Sequence, residues 1–98
     1  MIPFPKYIRL GGHLVTIKMV SGLVKEEQAF GTWDDGSLTI SIDSALSSSL
    51  TWDTIFHEMT ESINTLADLS LTHQTITTIA LLFHQGIQSM FEEGQEDA

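Results

Sequence analysis

The sequence predicts an α+β fold: a small N-terminal antiparallel or mixed β-sheet built from two hairpins, followed by two packed α-helices. Three observations support it. Up to residue 43 the chain is rich in β-branched residues separated by glycine-containing turns, and after residue 50 apolar residues recur at helical spacing. At 98 residues the chain is long enough for one domain with one modest core, so we expect a single domain over residues 1–98.

The first predicted hairpin covers residues 7–20. Residues 7–10 and 13–20 have strand composition, and Gly11-Gly12 between them suits a two-residue turn with positive φ. Residues 21–27 are expected to form a polar loop.

The second predicted hairpin runs from residue 28 to residue 43. Residues 28–33 lead into the turn sequence Asp34-Asp35-Gly36, and residues 37–43 follow as a strand. Leu38, Ile40 and Ile42 alternate with polar residues, as in a strand with one buried face. Residues 44–50 are serine-rich and are expected to be a connector.

The first predicted helix follows this connector. Thr51 is the expected N-cap, and Asp53 falls in the first turn, where the helix dipole favours an acid. Its apolar residues at helical spacing are Trp52, Ile55, Phe56, Met59, Ile63 and Leu66.

A second helix is expected after a short break at residues 68–71. Thr72 is the predicted N-cap, and Gly94 is a natural end, followed by an acidic tail within residues 93–98; about residues 5–92 are expected to be ordered. Its apolar stripe comprises Ile76, Ile79, Ala80, Phe83, Ile87 and Met90.

Composition excludes several classes of function. The four Lys and Arg residues all precede the thirteen acids, so the chain lacks the basic surface that direct nucleic-acid binding requires. No apolar run approaches the ~20 residues of a membrane span, and no signal peptide begins the sequence, so a cytoplasmic protein without membrane contact is expected. Because cysteine is absent, any metal must be held by His and carboxylates.

The segment His57-Glu58-Met59-Thr60-Glu61 carries the main functional signal. His57 and Glu61 are one helical turn apart, about 5–6 Å between Cβ atoms, so both can reach one ion. The pattern is one residue away from H-E-x-x-H, the metallopeptidase helix in which Glu is the general base. A carboxylate is an acceptable zinc ligand, so Glu61 can replace the second His. The alternative is a solvated Glu61 that only pairs with His57.

A catalytic site needs a third ligand, and three histidines are candidates. His73 opens the second helix, and an antiparallel pair of helices brings that end near Glu61, so His73 is preferred. His84 is expected to be a partly buried structural histidine, and His13 a strand-start residue. The alternative for His73 is a helix-start residue with no role.

The run from Thr54 to Asn64, then Leu71-Thr72-His73 and an apolar helix, resembles small phage- and prophage-encoded zincin-like proteins of minimal gluzincin type. Pro5-Lys6-Tyr7-Ile8 is similar to the opening of their sheet, and residues 34–42 to the strand along a zincin cleft. The likeness spans most of residues 5–90.

The resemblance implies a zinc-dependent metallopeptidase, in the host cytoplasm if phage-encoded. One Zn²⁺ would be held by His57, Glu61 and His73, with Glu58 as general base and a peptide or protein as substrate. Asn64 or Asp68 would support the ligands, and the strand 38–42 could pair with a peptide at a free edge.

Other functions remain open. Zincins also need a donor for the oxyanion, and Tyr7, His13 or a backbone amide would have to serve. The alternatives are a non-catalytic phage protein on a zincin scaffold and an acidic inhibitor that mimics nucleic acid and binds a basic host protein.

Overall fold

A computed structural model describes residues 4–92 and confirms the α+β class. Strands β1 (Tyr7–Leu10), β2 (His13–Val20), β3 (Gly31–Asp34) and β4 (Thr39–Asp43) form one sheet, followed by helices α2 (Ser48–Leu66) and α3 (His73–Ser89). The short helix α1 (Leu23–Glu27) lies between β2 and β3. The predicted acidic tail lies outside the described residues. The predicted helix end at Gly94 is wrong, because α3 ends at Ser89.

The sheet is mixed, with strand order β1-β2-β4-β3. Both predicted hairpins are present as antiparallel pairs, and β2 and β4 pair in parallel between them, with Ile17 opposite Ile40. The prediction that residues 38–42 offer a free edge is therefore wrong, because β4 has a neighbour on each side. The outer strands of the described sheet are β1 and β3.

The predicted loop at residues 21–27 is also wrong in part, because α1 forms there. The buried carboxylate of Asp43 accepts hydrogen bonds from the backbone N–H of Val24 at 2.7 Å and of Ala45 at 2.8 Å. The first of these bonds joins the start of α1 to the end of β4.

The core lies between the sheet and α2. Val15, Ile17, Ile40 and Ile42 project from the two central strands and pack against Ile55 of α2. Each such buried side chain contributes roughly 1.5–3 kcal/mol. The alternation predicted for the second hairpin is confirmed at Ile40 and Ile42, both fully buried.

Helix α2 begins before the predicted N-cap. Ser47 is the cap, and its Oγ accepts a hydrogen bond from the backbone N–H of Leu50 at 3.3 Å. Thr51 lies inside the helix, where its hydroxyl donates to the Ser47 carbonyl at 2.8 Å. The serine-rich connector is therefore shorter than predicted, since serine is as good a cap as threonine.

Helix α3 begins as predicted. Thr72 is the N-cap and accepts from the backbone N–H of Thr75 at 3.1 Å. The helix ends at Ser89, and α3 packs antiparallel to α2, since His73 lies near Glu61 and His84 near Asp53. No helix within residues 4–92 is long and apolar enough to cross a membrane.

The buried face of α2 differs from the predicted apolar stripe. Ile55 is buried, but Ile63 is 39% exposed, and Phe56 faces α3, where its ring stacks on His84 at 5.4 Å. The helix contacts both the sheet and α3, so two faces are covered. His57 and Glu61 line a cleft beside α3 and are half-buried.

Candidate metal centre

His57, Glu61 and His73 form one cluster. Glu61 Oε2 lies 3.5 Å from His57 Nε2 and 3.7 Å from His73 Nδ1, and one ligand atom from each residue falls within 4.8 Å of the others. The two imidazole rings meet edge to face with centroids 5.2 Å apart. The three residues predicted as ligands are thus brought together.

The spacing fits a small divalent ion. Zinc ligands at about 2.0–2.2 Å in a tetrahedron lie roughly 3.4 Å from one another, close to the two measured separations. Two imidazoles and one carboxylate are a ligand set that catalytic zinc sites use. The donor chemistry and the distances therefore both fit a divalent metal ion.

Helix geometry and one turn explain the cluster. His57 and Glu61 are four residues apart on α2, and His73 is the first residue of α3. The connection between the helices reverses the chain so that His73 returns to Glu61. Residues Asp68 and Ser70 have φ of 53° and 58°, a left-handed conformation that makes the reversal tight.

Asn64 supports the site through this connection. Its Oδ1 accepts a hydrogen bond from the backbone N–H of Leu71 at 2.8 Å, two residues before His73. Asn64 therefore fixes the backbone that leads to His73, whereas the predicted support was for the side chains of the candidate ligands. Asp68 lies in the turn and is exposed, and no ligand contact involves it.

Glu58 is the acid of the site whose pKa is raised by burial. It is 8% exposed, lines the same cleft, and forms no side-chain hydrogen bond within residues 4–92. Burial, and secondarily the nearby charge of Glu61, raise the pKa of Glu58 to about 7. A carboxylate with that pKa exchanges protons near neutral pH, as a general base must.

The cleft has a volume of about 600 Å³ and lies between β3, α2 and α3. Its wall includes Phe30 and Gly31 on the sheet side and Leu81 on α3, together with the four residues of the predicted site. A cleft of this size is in the range of small-ligand and peptide side-chain pockets.

Gly31 was missed as a site residue. A Cβ there would lie 2.6 Å from Thr54 Cγ2 and 3.1 Å from Glu58 Cγ, so β3 packs directly on the helix beneath Glu58. A lone glycine at the start of a strand is a sign of such close approach and could have indicated it. Asp53 was missed as a cleft residue, although it lies four residues before His57 on the same helix face.

The remaining candidates lie elsewhere. His84 is buried, and its Nδ1 hydrogen-bonds to Asp53 Oδ1, as expected of a structural histidine. His13 begins β2, as predicted, and Tyr7 begins β1, the outer strand opposite β3. Neither lines the cleft, so backbone amides remain as the predicted oxyanion donors.

The chain matches no protein-family model, and no curated protein or solved structure is significantly similar to it.

Proposed function

We propose that the protein is a zinc-dependent metallopeptidase of zincin type. The observation that carries the proposal is that His57, Glu61 and His73 meet within 4.8 Å in a cleft that is also lined by the largely buried Glu58. A ligand triad and a base beside one cleft are the parts that metal-assisted hydrolysis requires.

His57, Glu61 and His73 would hold the ion. When bound, Zn²⁺ supplies Lewis acidity that lowers the pKa of water toward about 7. Glu58 accepts the proton of the attacking water and gives it to the leaving amine, since its pKa near 7 lets it both take up and release a proton.

An extended peptide would lie along β3. The outer edge of this strand pairs with no other described strand, and Phe30 and Gly31 place it against the cleft. Backbone hydrogen bonds along the edge would hold the peptide beside Glu58, as in β-strand addition. In this proposal β3, not β4, is the strand that pairs with the substrate peptide.

Metal content tests the site. Protein purified without chelator should contain one zinc per chain by elemental analysis, and His57→Ala or His73→Ala should lose it. His13→Ala is the matched control, because it removes an exposed histidine outside the cleft and should leave the zinc in place. A chain that binds no zinc, or binds it equally in all variants, refutes the site; iron in place of zinc refutes the assignment of the metal, since the same donor set binds Fe(II).

Activity tests the base. Glu58→Gln should retain zinc and lower the rate of peptide hydrolysis by about 10²–10⁴-fold, the usual contribution of general-base catalysis. Zinc-loaded wild type that is as inert as Glu58→Gln across peptide libraries would favour the non-catalytic scaffold. Salt-sensitive binding to a basic protein that His57→Ala leaves unchanged would favour the acidic inhibitor.

A further inference from the structure

The cleft extends beyond the metal cluster to the carboxylate of Asp53. This residue lines the cleft and lies four residues before His57 on α2, about 6 Å along the helix axis on the side away from Glu61. Its side chain is 39% exposed. Asp53 is not among the three residues whose ligand atoms fall within 4.8 Å of one another, so the metal cluster does not use its negative charge.

His84 on α3 holds this carboxylate in place. Its Nδ1 donates a hydrogen bond to Asp53 Oδ1, because a carboxylate can only accept. The imidazole is buried and stacks on the ring of Phe56, with centroids 5.4 Å apart and an angle of 20° between the planes. The second oxygen of Asp53, Oδ2, has no hydrogen-bond partner among residues 4–92. The carboxylate is therefore oriented by a packed side chain and keeps one oxygen for a ligand.

Apolar side chains form the walls of the cleft near Asp53. Leu50 lies three residues before Asp53 on α2 and lines the cleft. On α3, Ala80 and Leu81 lie one turn before His84 and line it too. A carboxylate beside apolar walls suits the side chain of Lys or Arg, whose methylene groups pack on apolar surface while the charged end meets an anion.

The charge of the cleft favours the same kind of ligand. Asp53, Glu58 and Glu61 all line the cleft, and none of the described residues that line it is Lys or Arg. The chain as a whole carries a net charge of −9. A cleft lined by acids in an acidic protein attracts cationic substrates and repels acidic ones.

We propose that Asp53 selects substrate peptides with a Lys or Arg side chain within two residues of the cleaved bond. The proposal rests on the proposed peptidase function, because the metal cluster fixes where the bond is cleaved. One turn of α2 separates Asp53 from His57, and an extended peptide advances about 3.3 Å per residue. A side chain one or two residues from the cleaved bond therefore reaches Asp53, which is a specificity residue and takes no part in the chemical step.

Two capped alanine pentapeptides that differ only at the central residue, one with Lys and one with norleucine, test the selectivity. For zinc-loaded wild type, kcat/KM for the Lys peptide should exceed that for the norleucine peptide by about 10–100-fold, the usual contribution of a hydrogen bond to a charged group. Asp53→Asn keeps an acceptor for His84 and removes the charge, so this ratio should fall to about 1. Asp35→Asn removes one charge in the turn after β3, outside the cleft, and should keep the wild-type ratio.

Binding to a chain that lacks the general base separates this proposal from the peptidase function. In calorimetric titrations of Glu58→Gln with zinc present, the Lys peptide should bind about 10–100-fold more tightly than the norleucine peptide, and adding Asp53→Asn should remove the difference. Hydrolysis of both peptides with equal kcat/KM, or a Lys preference that Asp53→Asn retains, would overturn the role of Asp53 and leave the peptidase function standing. Hydrolysis of neither peptide, with the Lys peptide still bound more tightly, would count against the peptidase function and support the selectivity. Equal binding of the two peptides, or binding of neither, would overturn the selectivity, and this comparison does not require Asp53→Asn to fold.

Discussion

The buried carboxyl of Glu58 makes the stability of the metal-free protein depend on pH. Its pKa is about 7 in the folded chain, against an ordinary value of 4.5. Between these values the folded state holds the proton and the unfolded state has lost it, so stability falls as pH rises through this window. The loss is complete above pH 7.

The magnitude follows from the two pKa values. A difference of about 2.5 corresponds to about 3 kcal/mol at 1.36 kcal/mol per unit of pKa. Glu58→Gln keeps the shape of the side chain and cannot ionise, so the variant avoids this loss. We expect it to match wild type near pH 4 and to exceed it by about 3 kcal/mol at pH 8.

Urea unfolding in EDTA from pH 4 to pH 8 measures the difference. Glu27→Gln, which removes one negative charge at an exposed position of α1, controls for the change in net charge. A difference between wild type and Glu58→Gln that stays constant with pH, or a variant less stable than wild type at pH 8, would refute the assignment of a desolvated carboxylate.

Three further sets of substitutions test the close packing at Gly31, the support of the metal site by Asn64 and the hydrogen bonds to Asp43. Gly31→Ala should destabilise the fold by about 1–3 kcal/mol through overpacking, as measured by urea unfolding. Adding Thr54→Ser to this variant should restore part of the lost stability, because it removes the methyl group that the new Cβ would meet at 2.6 Å. If no stability is recovered, the strain does not arise at this contact. Asn64→Leu should weaken zinc binding about 10–100-fold in calorimetric titrations. Asn64→Asp keeps an acceptor for the backbone N–H of Leu71 and should largely retain the zinc affinity. Equal zinc affinities of the two variants would show that Asn64 does not support the site. Asp43→Ala should lower the melting temperature at neutral pH, because the backbone N–H groups of Val24 and Ala45 lose their acceptor. These hydrogen bonds lower the pKa of Asp43, so its contribution to stability should persist down to the ordinary value of 3.8 and disappear as pH falls through the lower folded value. Wild type and variant that melt alike at pH 7 would contradict this.

Local sequence signals predicted most elements because their causes are local. Thr72 caps α3 through a hydroxyl three residues from its partner, and Ile40 and Ile42 alternate with polar residues on a half-buried strand. The cap of α2 was misplaced because Ser47 and Thr51 have similar capping ability, and only the formed helix decides which hydroxyl is at the end.

The sequence by itself determined the α+β order of elements, the i, i+4 pair His57 and Glu61, and the return of His73 on the next helix, because these depend on helical spacing and a short connection. Tertiary structure decided what surrounds them. Parallel pairing of β2 with β4 places β3 at the outer edge, over the cleft, and close packing at Gly31 buries Glu58 and raises its pKa. These properties arise from contacts between residues far apart in the chain. The local pattern of residues therefore predicts neither the strand order nor the desolvation of Glu58.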